Sequence, residues 1–510
     1  MKKLRLILGD QLNIQHSWFQ KTDENTLYLI AEMQQETNYV KHHIQKIVAF
    51  FMAMRNFHLS LKKAGHQVVY FEITDTNNPQ NLEKIITDCI ENYKIEKFEY
   101  QLPDEYRLDK QLKSICSQIK IESEGVDSEH FYTKREELST FFEGKKLLLM
   151  ENFYRNMRKK HHILMDGSTP IGNQWNFDAD NRKKYKGEVP VPAEKNFHTN
   201  VAKIIAQIKS ANIVTFGNID VENFSWPSSR EQCLEVLDYF CRNLLRHFGD
   251  YEDAMHTDEK FLFHSRLSFA MNSKMLSPKE VIDTVVSYYN AHKETITLSQ
   301  VEGFVRQILG WREYIRGIYW KEMPDYAQMN VLNNTNKLPD FFWTGNTKMN
   351  CMKHAIQQSL DEAYAHHIQR LMVIGNFTLL TQIHPDEVDN WYLGVYIDAI
   401  EWVEMPNTRG MSQYADGGII ATKPYVSSGS YINKMSNNCA KCFYNVKEKF
   451  GDKACPFNSL YWNFLDEKKE YFQKNQRMGM MLNLLNKIKP EDLCQIKLKA
   501  NSIIQNMDDY

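Results

Sequence analysis

The chain has 510 residues, 43% hydrophobic and 25% charged, with a net charge of −2 and nine cysteines. That balance suits a soluble globular protein of several domains, large enough to bury a sizeable core. It excludes a globally basic nucleic-acid binder, so DNA contact must come from a local patch. No apolar run is long enough to span a bilayer.

No cationic leader with an apolar core and cleavage site follows Met1, which reads as a cytoplasmic chain. In that reducing setting, grouped cysteines favour a metal over a disulfide.

In chain order, residues 1–140 alternate strand and helix signals. The runs Leu4–Leu8, Thr26–Ala31, Gln67–Ile73 and Lys97–Leu102 predict strands. A helix is predicted over about His42–Lys63, where Ile44, Ile47, Val48, Phe51, Met52 and Leu59 recur near helical spacing and Gly65 can end it. Such alternation implies a mostly parallel sheet with ligands beyond the strand carboxyl ends. Gly9-Asp10-Gln11-Leu12 and the stretch Glu32–Tyr39 lie there. The absence of Gly-x-Gly-x-x-Gly argues against a dinucleotide site in this part. As bare sequence, Asp10 is equally a turn or cap residue.

Residues 141–225 read as a connection broken by Gly187, Pro190 and Pro192. Two basic stretches, Tyr154–His162 and Asn181–Lys186, suit a phosphate backbone or a solvated loop. Residues 226–510 read as all-helical. Ser228-Ser229-Arg230-Glu231 opens a capping box. Leu234, Leu237, Phe240, Leu244, Leu245 and Phe248 mark one helix face, with Gly249 as its stop. Further helices are predicted over Val281–Ala291, Gln300–Tyr319, Asn350–Leu380 and Asn475–Ile488. The predicted fold class is α/β plus all-α: a Rossmann-like parallel-sheet domain followed by a large helical domain.

Four cysteines stand out: Cys351, Cys439, Cys442 and Cys455, the last followed by Pro456. Four thiolates from separate points suit an iron–sulfur cluster or a structural zinc, and unrelated buried thiols are the plain alternative.

Phe248-Gly249-Asp250-Tyr251-Glu252-Asp253-Ala254 and Leu262-Phe263-His264-Ser265-Arg266-Leu267-Ser268 resemble the flavin-binding start of the photolyase/cryptochrome superfamily. Gln307-Ile308-Leu309-Gly310-Trp311-Arg312-Glu313-Tyr314, Glu401-Trp402-Val403-Glu404-Met405-Pro406-Asn407 and Leu8-Gly9-Asp10-Gln11-Leu12 extend the likeness over nearly the whole chain. With the four cysteines, the chain is similar to the iron–sulfur bacterial cryptochromes and photolyases, also called prokaryotic (6-4) photolyases. The resemblance implies FAD in the helical domain, a 6,7-dimethyl-8-ribityllumazine antenna in the α/β domain and a [4Fe–4S] cluster on the four cysteines. It implies light-driven electron transfer from reduced FAD to a pyrimidine–pyrimidone (6-4) lesion in UV-damaged DNA; a monomer is expected separately. The alternative on the same scaffold is a blue-light photoreceptor with the same cofactors. A third reading, a cluster-stabilised nucleic-acid-binding module, would lack FAD.

The same resemblance assigns residues. Ser265, Arg266, Leu267 and Ser268 are expected at the FAD pyrophosphate, where backbone N–H groups, hydroxyls and a cation suit the anion. Tyr251, Gln307, Arg312 and Tyr314 would flank the cofactor, with Glu404 at flavin N5 and Asn407 beside it. His366 and His367, placed on the predicted 350–380 helix, match the family's lesion histidine; neighbours on a helix point about 100° apart, so one of them would face the pocket, and His367 is favoured with His366 close behind. Tyr425 and Tyr431 would line the lesion pocket, and Trp391, Tyr392 and Trp343 would carry electrons to the flavin. Asp10, Glu36 and Tyr39 would hold the antenna, with Ala at position 31.

Overall fold

A computed structural model describes all residues, 1–510. Near its start, five parallel strands form one sheet: β1 Lys3–Leu6, β2 Thr26–Ala31, β3 Gln67–Phe71, β4 Lys97–Gln101 and β5 Glu122–Val126. Their spatial order is β3-β2-β1-β4-β5, with Leu4 of β1 opposite Leu27 of β2 and Phe98 of β4. Alternate residues face opposite ways, as the two-residue period of a strand demands. Leu27 and Leu29 enter a core with helices α2 Leu82–Tyr93 and α3 Tyr106–Gln118. Tyr28 and Ile30 face the other way, onto α1 Ile44–Lys63. That second core runs on without a break into the helical part, through Trp226, Phe240 and Phe304, so the helical part is packed directly against the sheet layer.

Four strands lie where their apolar runs predict, and α1 begins two residues late because His43 caps it, its ring accepting from the Gln45 N–H. The fifth strand has no such run. Glu-Ser-Glu-Gly-Val sits at the sheet edge, half exposed, where a polar strand is tolerated. The stretch 141–225 also holds more structure than expected. It contains helices Met150–His161 and Ala202–Ser210, and Thr215–Phe216 pairs with His42–His43.

Three helix predictions need correction. Ser229 caps the helix Arg230–Tyr239, but the chain passes through Gly249 and stays helical to Tyr251. A Cβ at 249 would stand about 3.0 Å from the Asn181 side chain, so glycine serves close packing there and not a stop. The predicted Asn350–Leu380 helix is broken. Helix Asn350–Glu362 ends where Ala363 takes a left-handed φ of 51°, and helical turns resume at His367, widening from Gln369. The 475–488 segment reduces to a short turn and the helix Gly479–Leu485.

Four stretches, 240–244, 306–312, 369–375 and 406–412, are widened into π-turns. Such turns spend helical regularity to re-aim side chains and gather at functional sites.

Candidate active-site cleft, antenna cavity and thiol site

Three of those widened turns border an open cleft of about 770 Å³. They contribute Arg306, Gln307 and Arg312 from one side, Arg370 from a second, and Asn407, Thr408 and Ser412 from a third. The loop Ser265–Leu267 and the first residue of helix Ser268–Asn272 complete one wall. Arg266 holds a left-handed φ of 57°, a conformation that costs an arginine energy and is held by its surroundings. Its guanidinium stacks 4.3 Å from the Phe261 ring and 4.5 Å from the Trp226 ring.

The cleft is rich in polar groups without partners. Buried nitrogens of Arg266, Arg306 and Arg312 and a ring nitrogen of His264 make no hydrogen bond within the protein. Buried polar groups left unpaired are costly, and guanidinium N–H donors match phosphate oxygens. The lining therefore fits a phosphate-bearing cofactor such as FAD. Burial raises the Glu404 carboxyl to about 7, although the Thr408 hydroxyl donates to it and Arg370 is near. Arg370 is paired with Asp398 at 3.0 Å and lies 3.7 Å from the Tyr396 ring centre.

Of the residues expected here, Ser265, Arg266, Leu267, Ser268, Gln307, Arg312, Glu404, Asn407, His367, Tyr392 and Tyr425 all line the cleft. Tyr251 does not; its hydroxyl donates to Glu188 and its ring stacks on Phe263. Tyr314 also turns away, donating to the Leu148 carbonyl. Two residues beyond Arg312 puts it on the opposite helix face. Tyr431 sits half-buried on helix Gly429–Met435, behind the lining.

His366 ends the break after Ala363 and His367 opens the resumed helix. His366 is 2% exposed and stacks on His264 at 4.7 Å, whereas the His367 side chain is 45% exposed, with Nε2 3.4 Å from Asp253 Oδ1. Burial depresses the His264 ring to about 3, and burial likewise holds His366 well below its usual value. Both stay neutral. His367 is thus the member of the predicted pair that faces the cleft. Sequence patterns do not point to His264, Arg370 or Asp398, because unpaired buried groups are invisible in a sequence.

Behind Tyr392, ring centres of Trp391 and Tyr392 lie 5.5 Å apart, and Trp391 meets Phe342 at 5.1 Å. Trp343, the next residue, is 40% exposed beside Phe216 and Lys41. The basic stretches divide. Arg158 is fully buried and bonds carbonyls of Ile163, Leu164 and Trp175, so it is structural. Arg155 and Lys159 flank the Trp175 ring near the surface, and Arg182 and Arg477 stand on the cleft lining.

A second cavity, of about 130 Å³, opens at the strand carboxyl ends of β1 and β2. Asp10, Ala31, Glu36 and Tyr39 line it. Arg107 organises them, bonding Glu36 at 2.7 Å and Glu105 at 2.9 Å and lying 4.7 Å over the Tyr39 ring. Lys274, from the helical part, binds Asp10 at 2.7 Å and Asp104 at 2.9 Å. Both ring nitrogens of buried His42, which also lines this cavity, lack partners. Apolar walls with unpaired polar edges suit a flat heteroaromatic ligand.

All four cysteines predicted to hold a metal line one small pocket. Cys351 opens helix Asn350–Glu362, Cys439 and Cys442 flank a single turn, and Cys455 precedes Pro456 at the start of helix Pro456–Glu467. Gly429 is needed beside them, since a Cβ there would stand 2.8 Å from Cys455 Sγ. Burial raises Cys439 to about 11 and Cys455 to about 12, which disfavours the free thiolates.

A parallel-sheet layer joined to a helical part with an open, phosphate-suited cleft is the architecture of photolyases and cryptochromes. The comparisons agree. The family of deoxyribodipyrimidine photo-lyase-related proteins matches residues 5–226. A (6-4) photolyase of Agrobacterium fabrum is 39% identical over 511 aligned residues, covering 100% of both chains. Among solved structures, a bacterial class III photolyase from Agrobacterium tumefaciens matches with a TM-score of 0.58 at 13% identity, covering 99% of this chain and 98% of that one. A Synechocystis cryptochrome matches with a TM-score of 0.55 at 14% identity, covering 85% and 88%. The chain belongs to the deoxyribodipyrimidine photo-lyase-related family.

Proposed function

We propose that this protein repairs (6-4) photoproducts in UV-damaged DNA with light, FAD being its catalytic cofactor. The observation that carries the reading is His367: a half-exposed imidazole at a cleft suited to a phosphate-bearing cofactor, oriented by Asp253. Full-length identity to a protein named (6-4) photolyase supports it.

Bound and reduced, FAD supplies the electron that light mobilises. The protein supplies the rest. Arg266, Arg306 and Arg312 offer donors to the pyrophosphate, and Ser265 and Ser268 offer hydroxyls. Glu404 and Asn407 present a carboxyl and an amide at the ring end. A lesion inside a duplex cannot reach such a cleft, so it must be flipped out. Arg182 and Arg477 would receive the backbone, and Tyr425 would pack the extruded bases. Reversing a (6-4) photoproduct returns a hydroxyl from one base to the other, so a proton must move as well as an electron. His367 holds that proton at its ring, Asp253 fixes the ring, and buried His366 backs it.

The finer assignments follow the same logic. The four thiols suit a [4Fe–4S] cluster better than zinc. No three of their sulfur atoms come within 4.8 Å of one another. Zn–S bonds of about 2.3 Å would draw thiolates to about 3.8 Å apart, whereas a cluster interposes its own iron and sulfide. Asp10, Glu36, Tyr39 and His42 would hold a lumazine antenna, and Trp343, Trp391 and Tyr392 would refill the flavin. Residues 1–140 would be the antenna domain, 141–225 the connection and 226–510 the catalytic domain.

Oligonucleotides carrying a single (6-4) lesion or a single cyclobutane dimer, under blue light and in darkness, test the reading. The wild type should repair the (6-4) lesion in light only and ignore the dimer. His367→Ala should lower that repair by about 10²–10⁴-fold, the usual worth of general acid catalysis, with FAD content unchanged. Repair of the dimer alone would contradict the substrate. Repair of neither, with FAD bound and photoreducible, would make the protein a photoreceptor.

A further inference from the structure

We propose that His264, His366 and His367 form a binding site for a divalent transition-metal ion of the zinc class in the wall of the cleft. Each imidazole offers a ring nitrogen, and these three atoms lie within 4.8 Å of one another. No other trio of histidine, cysteine or carboxylate groups in the chain is so gathered.

The second observation is independent of that spacing. His264 Nε2 and His366 Nδ1 are buried and make no hydrogen bond, in residues only 7% and 2% exposed. A packed interior seldom leaves ring nitrogens unpaired. A neutral imidazole has one lone pair to give, and a metal ion would use it.

The surroundings suit an ion that exchanges. His367 is half exposed, so an ion can enter from the cleft and water can keep a fourth position. Its Nε2 faces Asp253 at 3.4 Å, the relation of a carboxylate that orients a ligating histidine. Metal–nitrogen bonds of about 2.0–2.1 Å require nitrogens about 3.4 Å apart. Rotation of the exposed His367 ring can close that difference. Three imidazoles with an open position select zinc, copper, nickel or cobalt, while magnesium and calcium prefer oxygen ligands.

Metal on His367 would occupy a ring position that the proposed repair step needs for its proton. The site would therefore act as a reversible brake on repair. That consequence rests on the proposed function; the binding does not.

The test uses the full-length protein with FAD and its sulfur-bound metal in place, stripped of loose metal and titrated with zinc chloride alone. Calorimetry should show one added zinc per chain. X-ray absorption at the zinc edge should show imidazole nitrogens at about 2.0–2.1 Å. His264→Gln should weaken binding by at least the roughly 10-fold that loss of an outer partner alone can cost. Because His264 is buried, the half-exposed His367→Gln serves as the second variant and should weaken binding likewise. A sulfur shell at about 2.3 Å, or wild-type affinity in both variants, overturns the site. Zinc held by nitrogen with repair untouched leaves the site standing and removes His367 from the proton step. Repair lost in His367→Ala with no zinc bound to wild type does the reverse.

Discussion

The cavity at the strand ends encloses about 130 Å³ and the cleft in the helical part about 770 Å³. Each carries a carboxyl that burial pushes towards neutrality: Glu105 to about 8 in the small cavity, Glu404 to about 7 in the large one. Their neighbours differ. Glu105 sits among Glu401, Glu36 and Asp10, with Arg107 bonded to both Glu36 and Glu105. Glu404 has the Thr408 hydroxyl, Arg370, Asp398 and Lys46 for company, and elsewhere on the cleft lining guanidinium and imidazole nitrogens stand unpaired. In the small cavity the carboxylates are tied to Arg107 and Lys274, and the unpaired groups are chiefly the His42 ring nitrogens. The large one leaves hydrogen-bonding capacity unspent, as a site must if it binds both a cofactor and a substrate.

The contrast depends on the walls of the cleft staying fixed, and the thiol pocket holds them. Cys351 begins the helix that leads to the histidine break, and Cys455 packs on Gly429, where the helix of Tyr431 begins. Cys351→Ala should therefore have a larger effect than any substitution in either cavity: loss of iron and acid-labile sulfide, and of most soluble protein. The binding energy of such a centre is part of the folding energy. Zinc in place of iron in anaerobically purified wild type would count against the cluster.

A smaller effect separates supply of the electron from its use. Trp391→Phe should slow photoreduction of FAD several-fold yet leave repair unchanged when the flavin is reduced beforehand. Trp391 is 1% exposed, and its indole N–H donates to the Phe342 carbonyl at 3.2 Å. Phenylalanine keeps most of the packing and loses that bond and the easily oxidised ring. A pre-reduced variant that is equally dead would make Trp391 structural.

How far these sites are legible in the sequence depends on what signals them. Apolar runs mark β1 to β4 because buried strands need them; β5 has none because an edge strand does not. Clustered motifs mark the cleft loop 265–268, Glu404 and the four thiols. The helix break before the histidines is hidden, since a left-handed alanine leaves no mark: Ala363 is an ordinary helix former. The widened turns are equally silent, whereas Tyr314, two residues beyond Arg312, could have been set on the opposite face by helix geometry alone. His42, Arg107 and Lys274 escape notice because their roles come from residues far along the chain.

The smallest expected effect tests whether the two cavities are electrically separate. Ala399 lines both, and the Lys46 ammonium donates to the Ala399 carbonyl at 2.8 Å between them. A carboxyl with a raised folded value is protonated in the folded chain where the unfolded chain has already released its proton. Stability from Glu105 is thus greatest below about 4.5, falls as pH rises to about 8 and is level beyond; for Glu404 the fall ends near 7. Glutamine imitates the protonated form at every pH. Glu105→Gln should flatten the fall of the melting temperature between pH 7 and 8, where Glu404 no longer contributes, by on the order of a few degrees. It should also change the pH dependence of antenna absorbance without touching the pH profile of FAD photoreduction. Glu404→Gln should do the opposite, levelling photoreduction around pH 7 and leaving the antenna alone. If either variant alters both profiles, Ala399 is no insulator, and the cavities titrate as one unit.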